Sequence, residues 1–329
     1  MQNQYPCQSC HPKKCSFVQK SYLLQVPPQL TIVETQLFQQ NFEAICHQLS
    51  SPKRIILDFV ETHWIDGSGI IGLAKIAKLA AQEEITLVSW SISPQIQQIF
   101  LKAGLSQEFN TESCKDTIFI CNTPIRSHPS VTSKLKRGID IVGALVGLAI
   151  TAVLFIPIAV AIKWDNSGPI FYSQIRRGYL GKPFRIWKFR SMVTNAEKLK
   201  YKIQNQANGP IFKNENDPRI TRVGRFLRKT SLDEFPQFWN VLLGDMSLVG
   251  TRPPTLNEVE QYEIVYGQRL NVKPGLTGEW QVNGRSKILN FCEIVKLDLK
   301  YQKNWSVYYD LKIIFKTFYV LFSRGNGAY

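Results

Sequence analysis

Residues 138–162 form a run of 25 positions with one charge, Asp140, near its start. Such a run has to be hidden from water, either as a core helix or in a bilayer. As a helix rising ~1.5 Å per residue it exceeds the ~30 Å needed to cross the hydrocarbon layer. Two features argue against crossing. Pro157 lacks the N–H that a helix interior needs and is expected to break the helix toward its C-terminal third. Basic residues also stand on both sides: Lys134, Lys136 and Arg137 before, then Lys163, Arg176, Arg177, Lys182 and Arg185 after. A spanning helix concentrates its positive charge on one side. The pattern predicts a segment that enters one leaflet, bends at Pro157 and returns. The alternative is one spanning helix kinked by its proline.

The charge divides the chain in two. Of 329 residues, 40 are Lys or Arg and 25 are Asp or Glu, a net of +15. Residues 1–129 hold 10 of each sign, so the whole excess lies in residues 130–329. That excess suits nucleic acid, an anionic membrane surface or a phosphate-rich substrate. A nucleic-acid domain has no need of the adjoining apolar 25-mer, so no nucleic-acid partner is expected. The seven cysteines, an odd number without a signal-peptide pattern, point to reduced thiols in the cytoplasm. Cys7, Cys10, His11 and Cys15 have metal-knot spacing, but a tail with spare thiols is the preferred reading, and they stay unassigned.

In the neutral part, strand-like runs at Tyr22–Val26, Arg54–Val60, Ile85–Ser89 and Thr117–Ile120 alternate with helical patterns at Thr35–Leu49, Asp66–Ala81 and Pro94–Ala103. The alternation predicts an α/β layer around a largely buried sheet. The motifs Ile56-Leu57-Asp58-Phe59 and Ile65-Asp66-Gly67-Ser68-Gly69-Ile70 resemble the STAS family, domains related to anti-sigma-factor antagonists. That resemblance implies a protein partner and makes Ser68 a candidate regulatory phosphosite, since a helix N-terminus favours phosphate. Gly67 departs from the Ser or Thr of many relatives, and Ser68 also suits a plain N-cap. A passive interaction module is the preferred reading.

The basic part interleaves aromatics with Arg and Lys across Phe184–Met192. Further on, Arg219, Arg222, Arg225, Arg228 and Lys229 precede the carboxylate pair Asp233-Glu234. Three-residue spacing would put the four arginines on one side of a helix. Ser231, Asp233 and Pro236 mark a helix start, a setting that lowers a carboxylate's pKa. An acid pair ringed by cations suits phosphoryl chemistry, one carboxylate as nucleophile and the other holding a divalent metal. Taken alone, such a pair at a helix start is more often a capping feature.

The ordered motifs Lys136-Arg137-Gly-Ile-Asp140, Gly168-Pro-Ile-Phe171, Lys188-Phe-Arg-Ser-Met192, Asp217-Pro-Arg-Ile-Thr221, Leu232–Gln237, Gly244–Pro253, Pro274–Gly278 and Trp280-Gln281-Val282 resemble the bacterial sugar transferases, the monotopic polyprenyl-phosphate phosphoglycosyl transferases. The usual Pro-Arg-Pro reads Thr251-Arg252-Pro253 here, which would loosen that turn. The resemblance implies a phosphosugar-aspartyl intermediate on Asp233, UMP release from a UDP-sugar, and a polyprenyl phosphate acceptor, undecaprenyl by expectation. Glu234 would hold Mg²⁺; Arg228, Arg252, Lys188 and Arg190 would grip phosphates. Pro157 would be the membrane bend, with the site on the cytoplasmic face of a bacterial inner membrane. The expected organisation is a tail (1–19), an α/β STAS-like domain (20–125), a linker (126–133) and a mainly α (α+β) membrane-associated transferase domain (134–329) with a re-entrant helix. A catalytically silent membrane scaffold that recruits partners through the STAS-like domain is the competing function. The C-terminal run Trp305–Phe322 fits an interfacial helix or a core helix equally.

Overall fold

The computed structural model describes residues 21–48, 54–106, 109–112, 127–285 and 288–322. In the first domain β1 (Ser21–Gln25) leads through a short segment to helix α1 (Ile32–Gln48). Strand β2 (Arg54–Asp58), helix α2 (Gly67–Gln82), strand β3 (Thr86–Trp90), helix α3 (Pro94–Ala103) and strand β4 (Asn110–Glu112) follow. The four strands pair in the order β1-β2-β3-β4, all parallel. Strand β2 alternates by the rule for a sheet, with Ile55 and Leu57 at 0% exposure on the helix-covered face. Helix α3 has every local signal in place: Ser93 accepts from Ile96 N, Pro94 opens the helix, and Gly104 closes it at φ 77°. The predicted strand Thr117–Ile120 and the cysteines at 7, 10 and 15 lie outside the described residues.

Helix α2 is buried almost all round its first half, from Gly67 through Leu73. One side, Ile70, Leu73, Ile76 and Ala77, faces its own sheet. The other, at Ile71, joins a cluster with Tyr262, Leu270 and Phe291 of the second domain. A helix apolar on both sides needs two partners, and the second domain is the other one.

That domain opens with α4 (Lys134–Asp165), 32 residues capped by Ser133, whose Oγ accepts from Lys136 N. The backbone stays helical through Pro157, against the expected break. Helical contacts on both sides of the proline hold the path: Leu154, Phe155, Ile158 and Ile162 pack on Phe189 and Leu227. One stripe of α4 lies against the domain along its length, including Lys136, Asp140, Ala144, Gly147, Ile158 and Ile162. Gly143 and Gly147 admit Leu248 and the Phe238 ring; a Cβ there would come within 2.5 Å and 2.4 Å of them. The opposite stripe is apolar and open, with Val153 77% and Ile156 70% exposed.

An antiparallel hairpin, β5 (Phe171–Arg177) and β6 (Pro183–Phe189), carries the aromatic and basic run noted in the sequence. Its tip inserts Leu180, 4% exposed, into the core of the first domain. Helix α5 (Arg222–Thr230) and a 3-10 turn at Leu232–Gln237 then form one wall of a cavity, and helix α6 (Phe238–Leu243) follows. The parallel pair β7 (Ser247–Val249) and β8 (Gly275–Thr277), with helices α7 (Phe291–Lys303) and α8 (Val307–Phe322), completes the layer behind it. Helix α8 packs one side into the core, with Ile313 buried at 2%, and leaves the other open, with Phe315 and Tyr319 73% and 75% exposed.

Candidate active site

A cavity of about 1090 Å³ opens between the hairpin, the α5–α6 corner and the segment Arg252–Glu258. Its acidic centre comes from a sharp reversal. Ser231 ends α5 in the left-handed region at φ 59°, and the chain turns directly into the 3-10 turn that bears Asp233 and Glu234. Asp233 is 6% exposed. Burial pushes its carboxyl up to about 6, against the opposing pull of Lys188 and with the Glu234 charge adding to the rise. This corrects the expectation of a lowered pKa from a helix start, because loss of water outweighs the short turn's dipole. Burial would raise Glu234 as well, but Lys188 and Arg285 hold it below the ordinary range. Lys188 Nζ donates to Glu234 Oε1 at 2.8 Å.

The cations around the pair are drawn from elements distant in sequence. Arg228 lines the cavity and donates from Nε to Ser191 Oγ at 2.9 Å; burial lowers its pKa. Arg252 is gripped in a two-pronged pair by Glu258 at 2.6 and 3.1 Å. Burial works to lower its pKa, yet the carboxylate of Glu258 holds it above the usual guanidinium value. The four arginines do not share a side. Arg219 precedes α5 and closes on Asp217 at 2.7 Å, Arg222 and Arg225 are exposed, and Arg228 alone turns from the helix into the site.

Arg190 also lines the cavity, and its guanidinium donates to the Ser167 carbonyl at 3.1 Å and to the Asn166 carbonyl, so it ties the end of α4 to β6. Gly168 is required beneath it: its φ is +132°, and a Cβ would lie 2.1 Å from Arg190 Nη1. The Thr251 turn is not loosened by its missing proline, because Thr251 Oγ1 donates to the Arg269 carbonyl at 3.1 Å.

Ser68 is 0% exposed, and the N-cap of α2 is Asp66, whose Oδ1 accepts from Ser68 N at 2.7 Å and Gly69 N at 3.0 Å.

Residues outside the sequence-based selection also line the cavity. Arg176 on β5 is held at about 10 by burial and by the neighbouring Arg252. Lys213 falls to about 8 for the same two reasons in the same order. Arg285 donates to Ser231 Oγ at 2.7 Å, fixing the reversal that presents the acid pair. Its place just after Gly284, close to the Trp280-Gln281-Val282 motif, was the available signal.

A second opening of about 780 Å³ runs between α4 and α8, lined by apolar residues such as Ile139, Val142, Phe238 and Phe318. It meets the first at Glu234 and Arg285, which line both. Among the described residues no group of three or more His, Cys, Asp or Glu could enclose a metal. The Asp233–Glu234 pair suits instead a Mg²⁺ held by one or two carboxylates and completed by substrate phosphates.

Comparison with known proteins agrees with this layout. Residues 18–118 match the STAS domain. A galactosyl transferase CpsE of Streptococcus agalactiae is 51% identical over 195 residues, 59% of this chain and 43% of that protein. A UDP-glucose:undecaprenyl-phosphate glucose-1-phosphate transferase of Escherichia coli is 38% identical over 251 residues, 74% of this chain and 51% of that protein. The exopolysaccharide production protein ExoY of Rhizobium meliloti is 39% identical over 198 residues, 58% of this chain and 87% of that protein. The chain thus spans about half the length of the first two relatives. With residues 131–324 matching the model described as bacterial sugar transferase, and with the acid pair set in a cation-lined cavity within that span, the chain belongs to the bacterial sugar transferase family.

Proposed function

We propose that the chain transfers a phosphosugar from a UDP-sugar to polyprenyl phosphate at the cytoplasmic face of a bacterial inner membrane. The observation that carries this reading is the meeting of two unlike openings at one acid pair: a cation-lined cavity suited to a nucleotide diphosphate, and an apolar groove suited to a polyprenyl chain. The names of the relatives, with galactose, glucose and undecaprenyl phosphate in them, support both substrates.

In this mechanism a carboxylate oxygen of Asp233 attacks the β-phosphorus of the donor. A new P–O bond forms, the bridging bond to the α-phosphate breaks, and UMP leaves with the electron pair. An oxygen of the polyprenyl phosphate then attacks the same phosphorus, and the acyl-phosphate bond breaks to restore the Asp233 carboxylate. Burial keeps Asp233 poorly solvated, and Lys188 and Arg228 offset the charge that develops on the transferred phosphate. Mg²⁺ held by Glu234 would supply neutralisation of the diphosphate, with Lys188 sharing that carboxylate. Arg252, already oriented by Glu258, and Arg176 offer further phosphate contacts.

Helix α4 stays with one leaflet and does not cross in this reading. Its N-terminal half packs on α6 and β7 and its C-terminal half on α5 and β6, so both ends belong to one face of one domain. A helix crossing the bilayer would have to part them.

The test is UMP release by the full chain in detergent, with Mg²⁺, polyprenyl phosphate and a panel of UDP-sugars. One donor is expected to release UMP, and Asp233→Asn is expected to lose at least ~10³-fold in rate, as for removal of an attacking group. Full activity in Asp233→Asn, or no UMP from any common UDP-sugar, overturns the reading.

A further inference from the structure

The first turn of α2 is pressed against the chain's own transferase domain. Gly67 N donates to Asn271 Oδ1 at 2.6 Å. Gly67 and Gly267 cross so closely that a Cβ on Gly67 would lie 2.2 Å from the Gly267 carbonyl oxygen, and one on Gly267 would lie 2.5 Å from that of Gly67. At the centre of the contact the Ser68 hydroxyl is fully buried and has no hydrogen-bond partner. Ile71 completes the apolar part of the contact beside Tyr262 and Leu270.

The covered element is the 3-10 segment Ile264–Asn271, and it leads to the cavity. Within it Arg269, 1% exposed, donates to Asp298 Oδ2 at 2.7 Å and to the Tyr262 hydroxyl at 2.5 Å. Its Nη2 reaches the Arg252 carbonyl at 3.5 Å, and its own carbonyl accepts from Thr251 Oγ1 at 3.1 Å. Residues 251 and 252 are therefore held from behind by the same segment that the first domain covers, while the Arg252 side chain faces the cavity.

We propose that the α2 turn is an intramolecular docking surface whose occupant is the segment 264–271, and that Arg269 is a positioning residue carrying this docking to Arg252. The surface is matched to its occupant by shape and by polar pairing: two glycine backbones meet, Gly67 N donates to Asn271 Oδ1, and the Asp66 carboxylate hydrogen-bonds with the Asn271 side chain. The first domain then serves the second by fixing one wall of the donor cavity. Displacing it, by a competing protein or by bulk added at Ser68, would weaken donor binding without touching the acid pair. The donor arm rests on the transferase reading of the cavity, and the docking arm stands apart from it.

The experiment uses the full chain in detergent, comparing wild type, Gly267→Val and the milder Asn271→Ala. Hydrogen exchange is followed in segments 66–72 and 264–271, with β2 and β5 as internal references. Release of the dock is expected to speed exchange in both segments by about tenfold or more in Gly267→Val, with the references unchanged. KM for the UDP-sugar is expected to rise about tenfold while kcat stays within about twofold, the mark of lost binding rather than lost chemistry. Asn271→Ala, which removes the side-chain hydrogen bonds to Gly67 N and Asp66 and keeps the apolar packing, is expected to follow in the same direction by about threefold, and decides the matter if Gly267→Val fails to fold. Unchanged exchange in these variants overturns the docking surface. Freed exchange with an unchanged KM overturns the role of Arg269. A wild-type protein that releases no UMP refutes the transferase reading alone, since exchange still decides the docking.

Discussion

Asp233 shows how a residue can be legible in a sequence while its behaviour is not. The acid pair stands out among its cations, and its family motif assigns it a role. Its elevated pKa does not stand out, because it comes from burial beneath a hairpin about fifty residues earlier in the chain. In the proposed mechanism the attacking form is the carboxylate, so kcat/KM is expected to fall below an inflection near pH 6, measured as UMP release over a pH series. The stability sign is opposite to that of an ordinary ion-paired acid. A folded-state pKa above the model-peptide value means that the native state binds more protons, so the folded protein loses stability as pH rises through about 6. Asp233→Asn is accordingly expected to unfold at higher temperature than wild type at pH 8, by about 2 kcal/mol, in a thermal melt. Arg190 teaches the converse. It sits in a motif with Lys188, two residues along the same strand direction, yet only Lys188 reaches the acid pair. Sequence spacing does not report which carbonyls lie at the end of α4.

At the scale of elements, the motif Lys136-Arg137-Gly-Ile-Asp140 is explained by what α4 must be fastened to. Lys136 donates to Asp310 at 2.6 Å and to the Val249 carbonyl at 3.0 Å. Arg137 donates to the Val241 and Leu242 carbonyls at 2.7 and 2.6 Å, and Asp140 accepts from Ser247 Oγ and Leu248 N, each at 2.9 Å. The charges at the head of the apolar run, read from the sequence as membrane flanks, are here buried fastenings that join α4 to α6, β7 and α8. Lys136→Met is expected to cost about 3–5 kcal/mol, because it strands Asp310 in a dry site. A denaturant melt checks this, and Lys136→Met combined with Asp310→Leu should recover part of the loss. Helix α4 itself was evident from composition. Its continuity through Pro157 was not, because the packing that holds both halves comes from Phe189, Leu227 and Phe238, far along the chain.

For the whole molecule, the uneven charge separates a first domain from a second, and the α/β character of the first follows from its alternating strands and helices. The contact between domains was hidden. It depends on Gly67 meeting Gly267, and no local pattern couples positions 200 residues apart. The open apolar stripe of α4 makes a further expectation at this scale. Only 22% of the most apolar window of that helix is buried by the protein, which leaves an apolar face of the kind the proposed membrane association requires. Val153→Asp with Ile156→Asp is expected to shift the protein from the membrane to the soluble fraction in a flotation assay, while leaving the fold intact because both side chains point outward.

The buried tip of the hairpin has a consequence for heredity. Leu180 completes a core that otherwise belongs to residues 26–109, so each domain contains a piece of the other. Recombination that exchanged the first domain for a relative's would leave either an empty socket or an unmatched plug. In a chain that keeps both domains, drift in Leu180 is expected to be answered by compensating change in the residues that receive it.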